Sequence, residues 1–113
     1  MPYHGSCHCG RIAFEVEGQL EAAVACNCSI CSRKGALLWA VPRDHLRLLT
    51  PQDCLRTYTY HLHVFHHRFC QVCGIYLYAE TGGDESTVFV NIRCLEGVDP
   101  AKVPVLEFDG CSV

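Results

Sequence analysis

Residues 11–17 read RIAFEVE, with Ile12, Phe14 and Val16 on one side of a two-residue repeat and Arg11, Glu15 and Glu17 on the other. Such alternation predicts a half-buried β-strand. Residues 55–62, LRTYTYHL, alternate in the same way, setting Tyr58, Tyr60 and Leu62 opposite Thr57, Thr59 and His61. The pattern slips across residues 63–69, which predicts a turn or bulge within that run. Further strand-like runs fall at 36–41, 75–78 and 88–92, and Gly82–Gly83 marks a turn. No window sustains a 3.6-residue period. At most a short helix follows Cys28 or sits near residues 42–45. The reading is an all-β or β-rich single domain over residues 1–113, with Trp39, Phe65 and Phe69 in its core.

Composition narrows this picture. Half of the 113 residues are hydrophobic, enough for one small core, and small cores commonly need metal or disulfide support. The formal charge is −3, and no basic run exceeds the pair Arg33–Lys34. That argues against a nucleic-acid binder, which would carry a basic stripe. The N-terminus lacks the charged-then-apolar order of a secretion signal, and no apolar run is long enough to span a bilayer. A cytoplasmic protein with no membrane partner is therefore expected. Thiols stay reduced there, so the ten cysteines point to metal or catalysis before disulfides.

Seven of those cysteines form three groups: Cys7 and Cys9 in CHCG, Cys26, Cys28 and Cys31 in CNCSIC, and Cys70 and Cys73 in CQVCG. Gly10 and Gly74 directly follow the second cysteine of the outer pairs. A metal knuckle bends the backbone round the ion, and a residue free to adopt positive φ suits that bend. Two knuckles make four thiolates, a closed tetrahedral zinc site whose binding energy is also folding energy. The middle group offers three ligands. It either keeps an open position for substrate, as catalytic zinc does, or is closed by a fourth residue such as Cys94 or a histidine. Three thiolates would leave zinc a weak Lewis acid, better suited to holding an incoming thiol deprotonated than to making hydroxide. Sulfur ligands favour zinc, although such sites also hold iron. Arg33 and Lys34 follow the triplet and would offset its charge or meet an anionic substrate; ordinary solvated charges are the competing reading.

In GSCHCG, CNCSIC and FCQVCG, taken in that order, the chain resembles the glutathione-dependent formaldehyde-activating enzyme family, and CNCSIC, YTY, RCLEG and EFDG are most similar to its centromere protein V-like branch. The resemblance implies an Mss4-like, mostly antiparallel β fold. It implies a structural zinc on Cys7, Cys9, Cys70 and Cys73, and a second, catalytic zinc on Cys26, Cys28 and Cys31. It also implies carbon–sulfur lyase chemistry joining a thiol such as glutathione to a small aldehyde such as formaldehyde. The alternative is a non-catalytic, zinc-stabilised interaction module. Among the remaining candidates, His61, His63, His66 and His67 read as a solvated strand edge, and His8 as pointing away from the metal. Cys54 and Cys111 read as ordinary thiols, and Cys94 as a minor candidate for the site.

Overall fold

A computed structural model describes residues 2–26, 29–59, 65–81 and 86–108. The strands are β1 (Tyr3–Ser6), β2 (Ala13–Val16), β3 (Ala23–Cys26), β4 (Leu38–Pro42), β5 (Leu46–Leu48), β6 (Leu55–Tyr58), β7 (Phe65–Cys70), β8 (Tyr76–Thr81), β9 (Thr87–Asn91) and β10 (Val105–Phe108). The one α-helix among the described residues, α1 (Ser29–Lys34), starts just after Cys28 as the sequence predicts, and a 3-10 turn occupies Arg43–His45. Two sheets result. The smaller has the order β1-β2-β5, and the larger β10-β3-β4-β9-β8-β7-β6.

Every pairing is antiparallel except β10 with β3, so the larger sheet is mixed rather than wholly antiparallel. Period-two alternation decides which face of each strand is buried. In β2, Phe14 and Val16 turn inward, joined by Ile12 just before the strand, all fully buried as their spacing predicts. In the larger sheet the inward face carries Trp39 and Val41 of β4, Val88 and Val90 of β9, and Tyr78 of β8, aligned by the Trp39–Val90 and Tyr78–Val90 pairings. The two sheets meet there in one core, with the Tyr3 ring standing edge-on against Trp39 at 5.5 Å between centroids. Burying each large side chain of this kind contributes about 1.5–3 kcal/mol.

The outward face carries Val24, Leu38, Phe89, Ala79 and His67, again fixed by register. A second, smaller cluster of Ala36, Tyr76 and Ala79, with Leu38 and Phe89 against it, forms on this side. The register of β7 with β8 shifts between Arg68 and Phe69, inside the run where the sequence alternation slips. Leu77 is the extra residue there, and it returns Tyr76 to the outward face opposite Phe69.

The structure corrects two expectations. In the run from residue 55, Tyr58 does not face a core: β6 is an edge strand and Tyr58 is 51% exposed. Alternation marks two distinct faces, but an edge strand need not have anything packed on either. Phe69 is half-buried and outside the core clusters, whereas Trp39 is buried as expected. Tyr60, His61, Leu62, His63, Gly82, Gly83 and the Phe65 side chain lie outside the described residues.

Candidate metal centre

The two outer cysteine pairs close on each other. Cys7 leaves the end of β1 and Cys9 lies in the turn towards β2; Cys70 ends β7 and Cys73 lies in the turn towards β8. Each turn is pinched by the same backbone hydrogen bond, from Cys7 N to Ile12 O and from Cys70 N to Ile75 O, both at 3.0 Å. Gly10 and Gly74 take φ of +83° and +79°, the left-handed conformation the knuckle reading required.

The four Sγ atoms lie within 4.8 Å of one another. Cys9 is 3.6 Å from Cys7 and 3.7 Å from Cys70. Four sulfurs each about 2.3 Å from a tetrahedral zinc sit about 3.8 Å apart, so this donor set fits such an ion. Backbone N–H groups of Ile12 and Val72 donate to the sulfurs of Cys7 and Cys70, each at 3.4 Å. Donors aimed at a ligand sulfur stabilise it as thiolate.

Individual thiols differ. Burial pushes Cys7 up to about 11. For Cys73 burial also acts upward, but backbone hydrogen bonds from Cys9 and Ile75 outweigh it and bring the thiol down to about 6. Cys9 is lowered, chiefly by a backbone hydrogen bond from Arg11 and in part by the Arg11 side chain. Arg11 was not a sequence candidate; a cation one residue past a C-x-C-G knuckle was the available signal. Loading a metal requires these thiols to give up their protons, so metal binding is coupled to proton release.

Cys26 of the triplet stands apart from this cluster. Cys26 ends β3, two residues from Val24 and so on the outward face, and is half-buried. Cys31 is on α1, with its side chain outside the described residues, and Cys28 lies outside them altogether. α1 ends in Arg33 and Lys34, and the Lys34 ammonium sits 3.4 Å above the Tyr76 ring. The helix carrying Cys31 is thereby tied to β8 by a cation–π contact.

Cys94 does not join the four thiols. Its Sγ lies 3.4 Å from the Tyr76 carbonyl and 3.8 Å from the Asn91 amide nitrogen, and burial pushes it up to about 11, so it is a neutral thiol. His8 is exposed and Cys54 packs against the core, as expected, while Cys111 lies outside the described residues. The solvated-edge reading fails for His67, which is 4% exposed on the outward face with its ring 5.8 Å from that of Tyr76. Burial, then the charges of Lys34 and His66, lowers it to about 4, so it is neutral at physiological pH.

The family model for glutathione-dependent formaldehyde-activating enzymes matches residues 2–108, a span that includes all three cysteine groups. Among solved structures, a crystal structure of a Rhodobacter sphaeroides protein is similar to this one. It is 33% identical, with a TM-score of 0.81, and the match covers 91% of this chain and 99% of that one. With the paired knuckles in place between its two sheets, the chain belongs to the glutathione-dependent formaldehyde-activating enzyme family and shares its Mss4-like β fold.

Proposed function

We propose that residues 1–113 act as one cytoplasmic zinc-dependent unit that forms or cleaves the adduct between a thiol such as glutathione and a small aldehyde such as formaldehyde, a carbon–sulfur lyase-type reaction. The observation that supports this is the separation of the cysteines. Cys7, Cys9, Cys70 and Cys73 fit one closed, structural zinc, and the family match extends over the triplet, whose Cys26 is not part of that set. Cys26, Cys28 and Cys31 would then hold a second zinc. When bound, that metal supplies positive charge that keeps a substrate thiol deprotonated near neutral pH.

In the forward direction the thiol sulfur attacks the aldehyde carbon, a C–S bond forms, and the carbonyl oxygen takes the proton the thiol gave up. No electrons change hands. The chain's contribution is placement. Cys26 ends β3 on the outward face, and Cys31 belongs to α1, whose Lys34 lies over Tyr76 on that same face. Arg33 and Lys34 at the end of the same helix supply positive charge that would meet the carboxylates of glutathione. Holding thiol and aldehyde side by side replaces a two-body encounter by a local one.

The test is Cys28→Ser, assayed for turnover of formaldehyde with glutathione. Turnover is expected to be lost while the far-UV spectrum and one equivalent of zinc remain. Unchanged turnover overturns the reading.

One feature favours the interaction-module alternative. β10 is a sheet edge whose Val105, Leu106 and Phe108 are all exposed, and an apolar edge strand is a template for strand addition. In that case the second zinc would have four protein ligands. A light-atom or exogenous fourth ligand, seen by X-ray absorption, excludes it.

A further inference from the structure

The end of the larger sheet that carries Cys26 also carries an arginine that the proposed chemistry leaves unused. β3 and β9 are both antiparallel to β4, so they run the same way on either side of it. Val24 and Asn91 both pair with Leu38, which sets them two strand spacings, about 10 Å, apart. Two residues further along the chain from each come Cys26 and Arg93, at one end of the sheet. Arg93 stands in a 3-10 turn, Ile92–Cys94, that follows β9 directly.

Hydrogen bonds fix where that arginine sits. Asn91 is 7% exposed and shares the outward face with Leu38. Its amide nitrogen donates to the Tyr76 carbonyl at 2.9 Å, and its amide oxygen accepts from the Arg93 backbone N–H at 3.2 Å. β8 and the turn are thereby locked together. The Arg93 Nε then donates to the Gly35 carbonyl at 3.1 Å. Gly35 follows α1 directly, one helical turn beyond Cys31, about 6 Å along the axis. The guanidinium group is therefore held beside the helix that carries Cys31, at the sheet end where Cys26 lies.

Its charge is not taken up there. The ion pairs among the described residues join Arg43 and Arg68 to Glu80, and Arg47 to Glu15. No described carboxylate pairs with Arg93, which is exposed, and the bond through Nε leaves its two Nη groups for a further acceptor. Lys34, by contrast, has its ammonium over the Tyr76 ring. Three thiolates outweigh a divalent cation, so a metal on the triplet repels an incoming anion unless a cation stands beside it. Glutathione is such an anion.

We propose that Arg93 binds a carboxylate of the thiol substrate, so that the site prefers an anionic thiol such as glutathione to an uncharged one. The identity of the substrate rests on the thiol–aldehyde reading. The two Nη groups present parallel N–H bonds that a planar carboxylate accepts together, while Nε stays on Gly35.

The test is a calorimetric titration of the zinc-loaded full chain with S-methylglutathione, whose blocked sulfur cannot react, and with its dimethyl ester. The acid should bind more tightly than the ester. Arg93→Gln should weaken binding of the acid about three- to tenfold and that of the ester little. Arg93→Lys, which keeps the charge without the fork, should weaken the acid less. In turnover, the preference for glutathione over 2-mercaptoethanol should fall by the same factor in Arg93→Gln. Equal weakening of acid and ester would make Arg93 a prop for α1 and overturn the proposal. So would unchanged affinity for the acid, or no binding of the acid to wild type. The titration needs no turnover. Lost binding in Arg93→Gln beside full turnover in Cys28→Ser would sink the metal chemistry and keep the arginine; the reverse pair would sink the arginine alone.

Discussion

Two glycines separate backbone strain from steric exclusion. Gly74 has φ +79° and nothing within 4 Å of where a Cβ would sit. Gly74→Ala therefore costs only the left-handed conformation, about 1 kcal/mol, and should leave metal content unchanged. Gly5 has no such φ, but a Cβ there would meet Phe14 Cζ at 2.5 Å and the Cys94 carbonyl at 3.0 Å. Phe14 is fully buried and cannot swing away, so Gly5→Ala should cost about 1–3 kcal/mol through overpacking. Urea denaturation of the two variants tests the ranking, and the reverse order would refute it. His67 gives a pH signature at the same scale. It takes up its proton at about 4 in the folded chain against 6.5 when unfolded. Between those values the unfolded chain holds more protons, so stability is complete above about pH 6.5 and is lost as pH falls towards 4. The loss amounts to about 3 kcal/mol at most. His67→Gln should flatten that part of the profile relative to wild type, and parallel profiles would contradict it.

At the scale of elements, the four-thiol centre adds a second tie between two sheets that otherwise meet through their shared core. Cys7 and Cys9 belong to the β1–β2 turn of the small sheet, and Cys70 and Cys73 to the β7–β8 turn of the large one. The site is therefore a staple between sheets. Chelation of the metal should release β1 and β2 first: hydrogen exchange is expected to lose protection at Phe14 and Val16 while Val88 and Val90 in β9 stay protected. Simultaneous loss at all four would mean that the metal supports the whole core rather than the junction. The same elements show what was legible beforehand. β2, β4 and β9 each bury one face and β8 buries both, and their alternation or apolar runs announced them. The knuckles were legible because metal geometry constrains both cysteine spacing and the glycine after it. β1 and β5 escaped notice because four residues with a glycine, or three with a charge, make no pattern. β10 is fully exposed and exists through its parallel pairing with β3, a tertiary fact with no local trace. His67 was misread because burial there depends on what covers the outward face, and sequence polarity says nothing of that. Glu80 went unnoticed for a related reason, since its partners Arg43 and Arg68 come from a turn and a strand distant in sequence.

For the molecule as a whole, the question is whether the chain carries two independent metal centres with different tasks. The larger sheet divides the space. Its inward face packs the core, and its outward face carries Cys26, α1 and Tyr76. A centre built on the triplet can therefore be emptied without touching the staple between sheets, because Cys26 and α1 contribute nothing to the knuckles. Elemental analysis of wild type and of the Cys26→Ser/Cys28→Ser/Cys31→Ser variant measures this directly. Two zincs per chain are expected in the first and one in the second, with the thermal midpoint changed by only a few degrees. The converse variant, Cys7→Ser/Cys70→Ser, removes two thiols that are buried within the core cluster, and it should fail to fold rather than lose a single ion. One zinc in both wild type and the triple variant would mean that the triplet holds no metal as isolated. The enzyme reading would then give way to the interaction module presented by β10.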